Sequence, residues 1–278
     1  MDAVTTLFII IVIWFMFYGA VKFFKLESEG LEITPYYAIL KSTALNGVIT
    51  RLALWKPRAW RVLGNIGIVS AVGQGLFATY MLTSNFLRFF LNPETASPVQ
   101  PLIPGVTISA ASLPWFLLAA GVVILTHELS HGIQCVMEGV RVKSAAALYA
   151  VITFGGAVEP DEEDLNKASL TSRMRIFASG SLVNLITGIL TILVGIAVGK
   201  FLPDFAGVFL GWLYFVSINL AVMNMLPLGP LDGGQMWKAA TDNMKYGKQF
   251  QLTATYGILF LIVGNIAMSL GKFGLIPI

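Results

Sequence analysis

Apolar residues in this chain do not alternate with polar ones; they come in long unbroken runs. Six stretches, at about 3–24, 62–91, 113–138, 174–199, 207–227 and 250–271, are each apolar over the ~20 residues that a helix needs to cross a bilayer. Continuous runs exclude a β-barrel, whose strands alternate. Helices are the other way to satisfy a backbone in lipid. The pattern therefore predicts an all-α polytopic membrane protein with about six transmembrane helices. The first run has only Asp2 before it as a charge and is too long for a signal-peptide core, so it reads as an uncleaved span.

Between the runs the charges are uneven. Fifteen of the 18 Lys and Arg residues fall after spans one, three and five, leaving Arg88, Lys200 and Lys272 for the other side. The positive-inside rule places those basic loops in the cytoplasm and both termini outside. The connection 92–112 holds Pro93, Pro98, Pro101 and Pro104 and no basic residue, which predicts extended chain near the membrane surface. The loop 141–173 is too short for a separate module, so residues 1–278 read as a single transmembrane domain. Within that loop, Ser144–Pro160 is apolar, β-branched and glycine-containing, yet too short to span. It predicts a short re-entrant extended segment that offers a strand edge. The acidic run Glu159, Asp161, Glu162, Glu163 and Asp164 reads as a solvated loop at its mouth, and Met236–Gln249 as an interfacial amphipathic helix.

Composition narrows the class. The chain is 56% hydrophobic and 12% charged, with a mean hydropathy of +0.77, against about a quarter charged in soluble domains. A net charge of +3 points to no nucleic-acid partner, and the single Cys135 can form no internal disulfide.

The candidate chemistry lies in the third span. The only two histidines, His127 and His131, stand one turn apart with Glu128 between them, in a His-Glu-x-x-His run. Both imidazoles can reach one metal ion, and the carboxylate beside them can take up a proton. Ionisable groups at bilayer depth are costly and generally mark function rather than interhelical glue. A catalytic zinc takes three protein ligands. Cys135 and Glu138 lie too far along the helix from His127 to share its ion. Asp232 is the stronger candidate. It follows Pro227, Gly229 and Pro230, which break the chain after span five, and spans three and five run in the same direction.

These residues resemble the site-2 protease family of intramembrane zinc metalloproteases. His127-Glu128-Leu129-Ser130-His131-Gly132 matches its first motif, with Ser130 where many members have Gly. Asn224, Pro227, Asp232 and Gly233 match the fixed positions of its Asn-x-x-Pro-x-x-x-x-Asp-Gly motif. The run Phe177–Asn184 resembles the family's glycine-and-asparagine span. Pro-Gly-Val at 104–106 and the Gly155–Val158 run are similar to members near the eukaryotic protease. The resemblance covers about residues 102–235 as a catalytic core, with 1–91 and 250–271 as flanking helices, and there is no PDZ insertion.

It implies one zinc ion per chain held by His127, His131 and Asp232, with Glu128 as the proton-transferring base. The implied reaction is hydrolysis of a peptide bond within or near a transmembrane segment of a membrane-protein substrate. Asn184 and Asn224 could bind substrate backbone or a developing oxyanion, or could serve as helix–helix hydrogen bonds. Asn65, Gln74 and Asn265 read as structural. The alternative from another class is a membrane metal transporter or metal-binding channel, which would need further ligands along a path. A third is a membrane zinc protease acting on exposed or lipid-modified tails, which normally takes a Glu ligand from another helix.

Overall fold

The computed structural model describes residues 3–26, 30–150 and 153–275. Five helices are long and apolar enough to cross a membrane: α3 (Pro57–Leu91), α4 (Leu113–Met137), α6 (Leu170–Val198), α7 (Asp204–Met223) and α9 (Gly247–Phe273). A further helix, α1 (Ala3–Phe23), occupies the first predicted run, and its apolar part is Phe8–Phe23. Short helices α2 (Asn46–Trp55), α5 (Glu162–Lys167) and α8 (Asp232–Thr241) lie between them. The chain is thus a multi-pass, mainly helical membrane protein.

Helix boundaries follow local chemistry. Helix α3 starts five residues before the predicted span because Pro57, with φ preset and no N–H to lose, sits in its first turn. At 35 residues, roughly 52 Å at 1.5 Å each, it exceeds the bilayer, and the excess carries Arg58 and Arg61. Helix α4 ends at Gly139 with φ 74°. There Gly139 N–H donates to Val136 O (3.2 Å) and Val140 N–H to Cys135 O (2.8 Å), which satisfies carbonyls the helix leaves open. Helix α6 is opened by Ser169, whose hydroxyl accepts the Ser172 N–H.

Small side chains let α6 lie against both α4 and α7. Ala178, Gly180, Ser181 and Gly188 are buried on it, as expected where apolar solvent gives helices no hydrophobic reason to associate and close packing must do so.

The extended segment is confirmed and enlarged. Strands β3 (Val142–Ala150) and β4 (Thr153–Pro160) form an antiparallel hairpin that pairs Ala147 with Gly156; positions 151–152 of the predicted segment lie outside the described residues. Two strands not expected from sequence, β1 (Leu31–Ile33) and β2 (Ala38–Ser42), extend it to a four-stranded sheet in the order β1-β2-β3-β4. Helix α1 covers this sheet through Trp14 and Val21, packed with Ile33 and Ala38. The Trp14 indole N–H donates to Pro35 O (2.7 Å). A cavity of about 820 Å³ separates α1 and the sheet from Leu117 and Gly121 of α4.

The expected amphipathic helix at Met236–Gln249 requires correction. Helix α8 begins earlier, at Asp232, and ends at Thr241; the chain then turns and α9 begins at Gly247. The helix can start once the proline-broken segment ends at Pro230, the last residue that cannot donate. Most of the 92–112 connection is irregular, as expected, apart from a short turn at Pro93–Thr95.

Candidate metal centre

Three side chains from two distant segments converge. His127 and His131 lie on one face of α4 with ring centroids 4.7 Å apart and Nε2 atoms 3.1 Å apart. Asp232, the first residue of α8, places Oδ2 3.2 Å from His127 Nε2 and 3.1 Å from His131 Nε2. Among the described residues this is the group of three that could hold a metal ion.

The dimensions suit zinc. Bonds of about 2.0–2.1 Å in tetrahedral geometry put ligand atoms about 3.3 Å apart, close to the three separations here. Both histidines are buried. The donor set, two imidazoles and a carboxylate, is a common catalytic zinc set.

The surroundings aim the ligands. Ile176 O lies 2.7 Å from His131 Nδ1; a carbonyl can only accept, so this nitrogen carries the proton and Nε2 keeps its lone pair. Asp232 is held by the turn before it. Gly233 N–H donates to Asn224 O (2.9 Å), and the Asn224 amide donates to Asp232 Oδ2 (2.6 Å). The opposite wall is α6. A Cβ at Gly180 would lie 2.5 Å from His127 Cε1 and 2.6 Å from each histidine Nε2, so this approach requires glycine.

Glu128 lies beside the ligands on α4 and lines the same cavity of about 280 Å³, with Asn224, Asp232 and the Gly156–Val158 strand. Its Oε2 accepts the Val158 N–H from β4 (2.8 Å). This backbone anchor carries no side-chain signature and was invisible in the sequence, as was Ile176 O.

The two asparagines part company. Asn224 faces the cavity, its amide also 3.2 Å from His127 Nε2. Asn184 is fully buried, with its amide 2.8 Å from His127 Nδ1. Cys135 packs with Val140 and Ile176. Glu138 pairs with Arg175 at 3.1 Å, and Arg175 also donates to Asn65 Oδ1 (2.9 Å).

The acidic run is more structured than a solvated loop. Asp161 caps α5 by accepting the Asp164 N–H (3.0 Å), and that bond first, with Arg141 nearby, holds its carboxyl below the ordinary range. Asp164 is held low by the Arg141 guanidinium, which contacts it at 2.6 and 3.1 Å. The Ser144 hydroxyl, then Lys41, does the same for Glu159.

The chain is similar to known proteins along much of its length. The profile of Peptidase family M50 matches residues 115–203 and 194–268. A protein of Arabidopsis thaliana named membrane-bound transcription factor site-2 protease homolog is 26% identical over 158 residues, 55% of this chain and 30% of its own. An uncharacterised protein of Methanocaldococcus jannaschii is 30% identical over 186 residues, 65% of this chain and 47% of its own. A Synechocystis protein provisionally named a zinc metalloprotease is 27% identical over 211 residues, 69% and 51%. The chain spans about a third to a half of the length of these relatives. No solved structure matches it.

Proposed function

Because the chain belongs to peptidase family M50, we propose that it is a zinc metalloprotease of the site-2 type, which hydrolyses a peptide bond within or near a transmembrane segment of a membrane-protein substrate. The observation that carries this reading is the triangle of His127, His131 and Asp232 ligand atoms at 3.1–3.2 Å, built on an apolar membrane-length helix beside Glu128. His127, His131 and Asp232 would hold the ion. When bound, zinc supplies a Lewis acid that lowers the pKa of water towards ~7 and polarises the scissile carbonyl.

The chain's own groups do the rest. Glu128 takes a proton from the attacking water at a carboxylate oxygen and returns it to the leaving amine nitrogen. Its bond to Val158 N–H orients the carboxylate towards the cavity. That N–H points away from β3, and the two-residue strand period gives Gly156 the same aim. The β4 edge can therefore pair with an extended substrate segment, which must uncoil first. Asn224 lines the cavity wall, which supports assigning the substrate backbone to it.

The ligands lie about 9–15 Å before the end of α4, at 1.5 Å per residue. With the basic loops inside, the site opens towards the cytoplasm and both termini lie outside. Metal transport would call for further ligand groups along a path, and among the described residues there is one such group.

The test uses the full chain in detergent with a transmembrane model substrate. Glu128→Ala should retain about one zinc per chain and lose cleavage by at least 10²-fold, whereas Asp232→Ala should lose both. Full cleavage by the Glu128 variant would overturn the mechanism, and zinc transport without cleavage by the unaltered protein would favour the transporter.

A further inference from the structure

The two imidazoles are held from behind in different ways. Ile176, Gly180 and Asn184 recur every four residues on α6 and form one stripe facing α4. Ile176 gives His131 Nδ1 a backbone carbonyl, which permits a single tautomer. His127 Nδ1 meets instead a side-chain amide, that of Asn184, at 2.8 Å. An amide has an accepting end and a donating end, and a half-turn about χ2 exchanges them. Here the Nδ2 end faces the imidazole, while Asn184 Oδ1 is buried and has no hydrogen-bond partner. With the donor end forward, His127 carries its proton on Nε2, 3.2 Å from Asp232 Oδ2, where it blocks metal ligation. With Oδ1 forward, the orphaned oxygen gains a partner, the proton moves to Nδ1 and the Nε2 lone pair is free.

We propose that Asn184 is a positioning residue whose Oδ1 accepts the His127 Nδ1–H and so presents the Nε2 lone pair to the metal. This rests on the zinc reading above. Asn184 lies outside the ligand triangle, fully buried behind the His127 ring. A partner of this kind fixes tautomer and ring orientation, and its loss commonly costs 10–100-fold in metal affinity. Two superficially similar residues thus divide the labour, Asn224 at the cavity face and Asn184 behind the ligand.

The test measures zinc affinity of the full chain in detergent by competition with a chromogenic chelator, together with ¹⁵N-histidine NMR of the zinc-loaded protein. Only two histidines exist, so all four ring nitrogens are assignable. In the unaltered protein both histidines should show a hydrogen-bonded Nδ1–H. Asn184→Leu, similar in branching but without an acceptor, should bind zinc about 10–100-fold more weakly and lose the His127 Nδ1–H signal, with that of His131 unchanged. Asn184→Asp, an acceptor only, should keep both the affinity, within a few-fold, and the signal. The proposal is overturned if Asn184→Leu binds zinc as tightly as the unaltered protein. It is equally overturned if Asn184→Asp is as weak as the Leu variant, since packing rather than acceptance would then be at work. Should the Leu variant fail to fold, the Asp variant alone decides. An unaltered protein that binds no zinc would instead sink the metal reading itself.

Discussion

Two buried polar clusters in this helix bundle differ in completeness. Near the C-terminal end of α3, Asn85 and Asn265 form a closed circuit between α3 and α9. The Asn85 amide donates to Asn265 Oδ1 (2.9 Å) and Ser97 O (3.0 Å), and its oxygen accepts the Ser97 N–H (2.8 Å). The Asn265 amide donates to Leu82 O and Leu261 O. Every polar atom of the pair is matched. At the metal centre, by contrast, three ligand atoms face one another at 3.1–3.2 Å, and Asn184 Oδ1 has no partner. A complete network is interhelical glue. A convergent set of ligand atoms is one that could hold a cation. Hydrogen-bond accounting separates the two where residue type does not.

That contrast can be broken at several points, beginning with the strongest. Gly180→Ala puts a methyl group within 2.6 Å of both Nε2 atoms. Zinc affinity should fall by at least 10–100-fold, the scale on which outer-shell changes act, with α-helical content by circular dichroism preserved. Undiminished affinity would mean that α6 does not form the wall of the site. Next, Asn85→Leu should lower stability by about 0.6–1.7 kcal/mol, the range of interhelical hydrogen bonds in membranes, and leave zinc stoichiometry at one. The Asn85→Leu/Asn265→Leu double variant should cost less than the sum, as coupled residues do; strict additivity in thermal unfolding would dissolve the circuit.

The smallest effect concerns the carboxylates outside the membrane. Asp161 and Asp164 have lowered pKa values in the folded chain. Their contribution is therefore full above the unfolded value, about 3.9, and is lost as pH falls through the lower folded ones. Amide exchange of α5, corrected for its intrinsic pH dependence, should quicken only below about pH 4. Arg141→Met, which lets the folded value of Asp164 rise towards the unfolded one, should shrink that acid quickening, and an unchanged amplitude would show that the guanidinium does not hold Asp164.

Much of the site was legible because its signals are local. Two histidines one turn apart on an apolar run carry their geometry in their spacing, and the prolines around Asp232 mark the break that turns its carboxylate inward. Asn265 was rightly assigned to structure. The β3–β4 hairpin was legible as chain too short and too glycine-rich to span. Strands β1 and β2 were not, since their pairing joins Ala38 to Tyr149, across more than a hundred residues, and strands of three and five residues leave almost no periodic trace. Asn184 and Asn224 could not be told apart either. Helical period fixes the face on which a residue lies, but not whether that face looks onto a ring or a cavity. The anchors on Ile176 O and Val158 N–H belong to the backbone and are blind to side-chain identity.

The glycine at position 180 has a mechanical corollary. Only a hydrogen atom separates the α6 backbone from the two rings, so that wall cannot breathe inward and cannot rotate without driving a neighbouring side chain into the ion's place. The other flank is filled less tightly, for α1 and the sheet stand off from α4 across the cavity of about 820 Å³.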